Sequence, residues 1–506
     1  MRFTKTAAAL AAATIALAAP AAAQQGAAAP AKQDNPDKPV PPPTVSVTHH
    51  TGTFGGARIA YTATASETYL KAEDGTPKAS IFSVSYVKEG PRDPNRPVTF
   101  LFNGGPGSGS LWLHMGAFGP KRVAIPSDAR DDGAPPYPIV DNADSLLDVT
   151  DIVFIDPVGT GFSHALGKTE AKEYWGVTSD AKSISQFIRT WLSENNRWNA
   201  PKYLGGESYG TTRSAAVAHE LMGGYNDVAL NGILLISTIL DFSLQADTPG
   251  NEMSYVVNLP SMATTAYYHH KVSNPPASVE QFAEEARQFA SGPYLTALAK
   301  GNRLPAEERA QVRTQLSRYT GLSEAYLDQA NLRVAPFRFF KELLRDRGMT
   351  IGRLDTRYTG KDYDNAGENP DNDPSFYGID GGYTAALNAY ARSDLGFTTD
   401  RQYVTIGGVR DWNFKIEGVA DNDSYVTVAP FIGESLRENS GLKVFVAQGW
   451  YDFATPFFGA EFALSRGGIP ADRVQFHYYD AGHMMYVRDE DRAKLSRDIR
   501  EFIRSR

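Results

Sequence analysis

The stretch that most constrains this chain is Gly206-Glu207-Ser208-Tyr209-Gly210. A short apolar approach, Tyr203-Leu204, precedes it. The small-residue run Ser214-Ala215-Ala216-Val217-Ala218 follows, suited to a helix lying close on a sheet. Strand, Gly-x-Ser-x-Gly, helix is the pattern of a nucleophile elbow, whose turn is too sharp to admit side chains beside the serine. The hydroxyl then stands above the sheet edge, and the N-terminus of the following helix directs partial positive charge at it. Gly433-Glu434-Ser435 is a near miss, with Arg437 in place of the second glycine. A tight turn that happens to contain serine meets the same spacing, so the motif alone leaves both readings open.

The surrounding pattern predicts what the elbow is built into. Val98 to Phe102, Asp151 to Ile155, Gly232 to Ile236 and Leu442 to Val446 are short, near-continuous apolar runs, and Val474 to Tyr479 is a further strand. Helical sequence separates several of them, as over Ser179 to Leu192. Buried strands alternating with helices predict a mostly parallel central sheet covered by helices on both faces. Arg58 to Thr64 and Ala79 to Lys88 alternate around Glu73-Asp74-Gly75 and predict a β-hairpin. Helical segments are expected over Val279 to Ala299, Ala306 to Gln315, Ser323 to Asn331, Phe337 to Arg347, Tyr383 to Ser393 and Asp489 to Arg504. The α/β pattern lapses over about residues 239–418, which reads as an inserted, mainly helical cap. The expected organisation is a signal peptide at 1–23, a proline-rich linker at 24–45, and a hydrolase core at 46–238 and 419–506 split by that cap.

Composition removes several function classes. A net charge of −8 with no basic tract argues against nucleic acid as a partner. With no cysteine there are no disulfides, thiolate metal sites or cysteine nucleophiles. Met1-Arg2-Phe3-Thr4-Lys5, the alanine-rich stretch Ala7 to Ala19 and Ala21-Ala22-Ala23 read as a cleavable export signal. That stretch is too short for a comfortable membrane span, so release to a periplasm or beyond, with no membrane anchor, is expected. The acidic cluster Asp362, Asp364, Glu368, Asp371 and Asp373 lacks the spacing of an EF-hand and reads as a solvated loop. No metal or cofactor is expected.

A serine hydroxyl needs a base, and the base needs an orienting acid. Of nine histidines, His483 follows the last strand in Ala481-Gly482-His483-Met484, where an α/β-hydrolase places its histidine. His477 lies inside the strand itself, and the other seven read as surface or packing residues. Asp452, beyond the strand that ends near Gly449, completes the order Ser208, Asp452, His483. Asp480 is its rival and suits a loop cap better. Asn103-Gly104-Gly105 follows an early strand, placing the Gly105 N–H to serve as an oxyanion donor with that of Tyr209. A phosphate-loop reading of Gly105-Pro106-Gly107 fails for want of a lysine.

Four ordered motifs then carry a resemblance. Asn103-Gly104-Gly105-Pro106-Gly107, Asp156-Pro157-Val158-Gly159-Thr160-Gly161-Phe162-Ser163, Gly206-Glu207-Ser208-Tyr209-Gly210 and Gly482-His483-Met484 together resemble the serine carboxypeptidase family over about residues 95–500. The resemblance implies release of C-terminal residues from peptides or proteins through an acyl-enzyme, usually best at acid pH. It also implies that Asn103 and a protonated Glu207 bind the substrate's terminal carboxylate. A carboxyl facing another carboxylate resists ionisation, which fits that assignment; a helix N-terminal acid is the other reading of Glu207.

The chain departs from the family at several points. Leu101 stands where a tryptophan is common, and Ala117 where a further glutamate of the carboxylate network is expected. The usual Gly-Asp-x-Asp reads Gly449-Trp450-Tyr451-Asp452. These changes motivate an alternative, an esterase or acyltransferase on the same scaffold. A non-catalytic binding protein is the remaining one. Side-chain preference and oligomeric state are not legible.

Overall fold

The apolar runs form the interior strands of one sheet. The computed structural model describes residues 39–223, 227–246, 248–417 and 426–505; the expected signal peptide lies outside them. Strands β1 (Val45–Phe54), β2 (Ala57–Lys71) and β3 (Pro77–Lys88) pair antiparallel, with the expected turn at Glu73-Asp74-Gly75 between β2 and β3. Next come β4 (Val98–Phe102), β5 (Asp151–Ile155), β6 (Lys202–Ser208), β7 (Gly232–Thr238), β8 (Lys443–Gly449) and β9 (Val474–Tyr479). The order across the sheet is β1-β2-β3-β5-β4-β6-β7-β8-β9, with every pairing from β5 to β9 parallel.

Strand periodicity assigns each side chain to one of two cores. Phe100, Phe102, Leu204, Ile233, Leu235, Val444 and Val446 face one side, while Leu101, Tyr203, Leu234, Ile236 and Phe445 face the other. Helices α1 (Val177–Glu194) and α2 (Tyr209–Met222) cover the first face. The helix closing the chain, Asp489–Arg504, covers the second with Leu495, Ile499 and Phe502. Burial on both faces explains why these strands read as continuous apolar runs rather than alternating ones.

Between β7 and β8 the chain is mostly helical. Helices α3 (Glu252–Tyr268), α4 (Val279–Phe289) and α5 (Ala306–Thr320) gather a third core that includes Phe339, Phe340 and Phe453. Beyond α4 a π-helical turn at Ala290–Tyr294 leads directly into Leu295–Lys300, so the helical stretch expected over Val279 to Ala299 forms with one widened turn. Helix α3 had no expectation because it is apolar nearly all round and contains Pro260, leaving no amphipathic stripe to read. Helix α6 (Asp380–Ser393) packs instead into the second sheet-face core through Tyr383, Leu387 and Tyr390.

Candidate active site

The sheet order creates the crevice. The chain leaves β4 for β5 on one side and later lays β6 on the other, so the connections at the carboxyl ends of β4 and β6 diverge. Open parallel sheets bind ligands at such a switch point. Asn103 to Gly107 leave β4 there, and Ser208 ends β6 there. Asp452 and His483 follow the ends of β8 and β9.

Ser208 holds φ 61° and ψ −130°, a conformation costing about 1–3 kcal/mol for a residue with a side chain. The glycines around it are required by contact. A Cβ on Gly104 would lie 2.5 Å from the Tyr209 nitrogen, and one on Gly210 would lie 2.8 Å from the Phe102 oxygen. Elbow and β4 loop therefore pack backbone to backbone. The Ser208 side chain is half-buried, and its hydroxyl makes no hydrogen bond among the described residues.

Asp452 is fully buried and saturated with donors. Its Oδ1 accepts the N–H groups of Ala454 (2.8 Å) and Thr455 (2.9 Å), and its Oδ2 accepts the Thr455 hydroxyl (2.6 Å). His483 Nδ1 lies 2.9 Å from the same Oδ2. With Nδ1 donating to the carboxylate, Nε2 is left as a proton acceptor. Burial pulls the His483 pKa down, but Asp452 and then Glu207 outweigh it, and the imidazole is more basic than usual. The His483 loop is joined to β7, the strand beside the elbow strand, by a hydrogen bond from Ser237 Oγ to His483 O (2.6 Å).

Two groups missing from the sequence reading hold this machinery. Arg213 on α2 is buried, with Nε 2.6 Å from Asp180 Oδ2 and with Nη1 and Nη2 donating to the carbonyls of Asn103 (2.6 Å) and Pro106 (3.2 Å). It thus fixes the loop whose Gly105 N–H has no acceptor among the described residues. An arginine set in a small-residue helix face was the available signal, because such a charge must find buried partners. The second group is the segment Arg353 to Arg357. Its backbone accepts from Phe453 N (3.1 Å) and His483 N (2.6 Å), and Thr356 N donates to Tyr451 O (3.0 Å). Arg357, paired with Asp355, also donates to Asp480 O (2.9 Å). The loops of Asp452 and His483 are both tied to this one segment, which carries no sequence signature.

Asn103 and Glu207 meet in the crevice. Asn103 Oδ1 accepts the Leu113 N–H (3.0 Å), fixing the amide so that Nδ2 donates to Glu207 Oε1 (3.0 Å). Burial pushes the Glu207 pKa up to about 7, against the opposing pull of His483, Tyr486 and Asn103. Leu101 and Ala117 are wholly buried in the second sheet-face core and bring no polar side chain.

The Asp156 motif buttresses the same loop. Its carboxylate accepts the Ser110 N–H (2.7 Å) and the Tyr403 hydroxyl (3.1 Å), and burial raises its pKa to about 6. The other histidines lie elsewhere: His114, stacked on Phe154, is driven by burial to a pKa of about 3, and His477 stacks on Phe445 within β9. Asp480 caps nothing at His483; its side chain lies 4.0 Å from Arg488. In the acidic loop, Lys341 pairs with Asp362 (2.5 Å) and donates to Asp364 O (2.8 Å), so an ammonium sits among those carboxylates.

Comparison with known proteins agrees with this geometry. Residues 64–481 match the family model described as serine carboxypeptidase. Serine carboxypeptidase-like 13 of Arabidopsis thaliana is 28% identical over 158 residues, 31% of this chain and 35% of that protein. Serine carboxypeptidase-like 36 of the same plant is 30% identical over 155 residues, 30% of each chain. The chain thus spans about a third of the length of the curated relatives it matches. Among solved structures, Kex1(delta)p, a prohormone-processing carboxypeptidase from Saccharomyces cerevisiae, superposes with a TM-score of 0.50 at 16% identity, over 88% of this chain and 91% of that one. At that identity the likeness speaks for the fold.

Proposed function

Because the chain belongs to the serine carboxypeptidase family, we propose that it releases C-terminal residues from peptides through an acyl-enzyme. The observation carrying this reading is the buried Asp452–His483 pair at 2.9 Å, set beside a strained serine elbow and an Asn103–Glu207 pair. Ser208 Oγ attacks the carbonyl of the last peptide bond while His483 Nε2 takes its proton. The oxyanion is met by the N–H groups of Gly105 and Tyr209. His483 then protonates the leaving amine, and water, activated in the same way, cleaves the acyl-serine ester. Asn103 and protonated Glu207 hold the terminal carboxylate, which places the last peptide bond, and no other, at the serine.

The decisive experiment compares a blocked peptide bearing a free C-terminus with its C-terminal amide, alongside fluorophosphonate labelling of wild type and Ser208→Ala. Turnover restricted to the free acid, with labelling lost in the variant, is expected. Labelling of the variant would remove Ser208 from the mechanism. The apolar Leu101 and Ala117 favour the second reading, an esterase or acyltransferase; equal turnover of acid and amide would select it.

The remaining assignments are of the same standing. The cap expected over residues 239–418 is proposed to cover the site, supported by the separate core that Val256 to Ile351 form and by its attachment at Phe453. Export to a periplasm or beyond is proposed from the pattern of residues 1–23. Among the described residues no helix is long and apolar enough to cross a membrane.

A further inference from the structure

Two buried polar atoms beside Asn103 have no hydrogen-bond partner among the described residues: Glu207 Oε2 and the Tyr486 hydroxyl. Tyr486 stands three residues beyond His483, in the turn Met485–Val487, and is 1% exposed. Its ring presses on Gly116, where an added Cβ would lie 2.7 Å from Cδ2 and Cε2. Gly116 belongs to the helical turn Leu113–Phe118, whose first N–H holds Asn103 Oδ1. The ring is therefore wedged between the element that orients Asn103 and the loop that carries His483. Glu207 and Asn103 both bear on its ionisation, Glu207 raising its pKa and Asn103 lowering it, yet the hydroxyl meets the strict hydrogen-bond geometry of neither.

A buried hydroxyl without a partner costs stability. Phenylalanine would fill the same space against Gly116 without that cost. We infer that Tyr486 donates a hydrogen bond to the terminal carboxylate of a bound peptide, beside the second Asn103 Nδ2 hydrogen and the proton on Glu207 Oε2. This rests on the reading of the Asn103–Glu207 pair as the carboxylate site. A carboxylate offers about four acceptor positions, so three neutral donors fit it. Leu101 and Ala117 contribute none, and Tyr486 makes up part of that deficit. Because burial drives its pKa far above the ordinary tyrosine value, Tyr486 keeps its proton where Glu207 loses one.

The test uses Tyr486→Phe in the full chain, read on a blocked dipeptide with a free carboxylate, on its C-terminal amide, on a carboxylate-free ester, and by thermal melting. The variant is expected to lose about 10- to 100-fold in kcat/KM on the free acid, to keep its ester activity, and to melt no lower than wild type. An equal loss on acid and ester, or a lowered Tm, would overturn the inference and make the hydroxyl a structural partner of Glu207. An undiminished preference of the variant for free acid over amide would also overturn it while leaving the carboxylate site standing. Indifference of the wild type to the carboxylate, seen before any variant is made, would sink the underlying reading and this inference with it.

Discussion

Gly482 and Asp355, 127 residues apart, lie in direct contact: the Gly482 N–H donates to Asp355 Oδ2 at 3.1 Å, and a Cβ built on Gly482 would stand 2.5 Å from Asp355 Cα. The glycine before His483 is thus demanded by the Arg353–Arg357 segment pressed against it. His483 inherits its position from that contact and from the bond of its N–H to Leu354 O.

Gly482→Ala should push the His483 loop off the Arg353–Arg357 segment. A displacement near 1 Å costs about a hundredfold in rate, so kcat should fall by about two decades while KM changes little. Steady-state kinetics on the free-acid peptide and a melting curve check this; wild-type kcat in the variant would show that the loop tolerates the methyl group.

Arg213→Met should separate stability from activity. The single change strands Asp180 as a buried charge and should cost about 3–5 kcal/mol. Adding Asp180→Asn removes that charge and should recover most of the stability. Activity should not return, because the Asn103 and Pro106 carbonyls still lack their donor. Denaturant melts with kcat for both variants decide it. Full recovery of kcat in the double variant would rule out a part for Arg213 in holding the oxyanion loop.

Stability should fall as pH rises from about 4.5 to about 7. Glu207 is raised from 4.5 to about 7, so across that window the folded chain keeps a proton the unfolded chain has released. Its contribution is fully present below the unfolded value and lost on passing the folded one. Across the rise from 4.5 to about 7, at about 1.4 kcal/mol per pH unit, the total is about 3–4 kcal/mol. Glu207→Gln should flatten this share of the slope, leaving that of Asp156, which titrates about a unit lower. Melting temperatures of both proteins between pH 4 and 8 measure the difference; parallel curves would contradict the assignment.

Peptidase activity should decline through about pH 7 on the alkaline side as Glu207 ionises and faces the substrate carboxylate with like charge. Ester hydrolysis should persist to higher pH, since no product-like carboxylate is then held. Glu207→Gln, a donor at any pH, should lose the alkaline limb on peptides. Coincident pH profiles for peptide and ester in the wild type would count against Glu207 as the carboxylate partner.

The parts of this protein that reading the chain reached are those set by local rules. Val98 to Phe102 and Asp151 to Ile155 announce themselves because a strand buried on both faces has no polar alternation to hide it. Gly206 to Gly210 reads as an elbow because backbone contact excludes side chains. The helix Asp489–Arg504 falls where its stripe places it. Helix α3 did not, since burial all round erases the stripe.

Order along the chain by itself determined the sheet, the elbow, and the succession of serine, aspartate and histidine, because each follows from periodicity or from glycine's conformational freedom within a few residues. Tertiary structure alone decided that Arg213 grips the Asn103 loop, that Asp355 sets Gly482, and that Tyr486 and Glu207 are neighbours. Those relations join residues more than a hundred positions apart, and a hydrogen bond or a steric contact leaves no mark on the spacing of either partner.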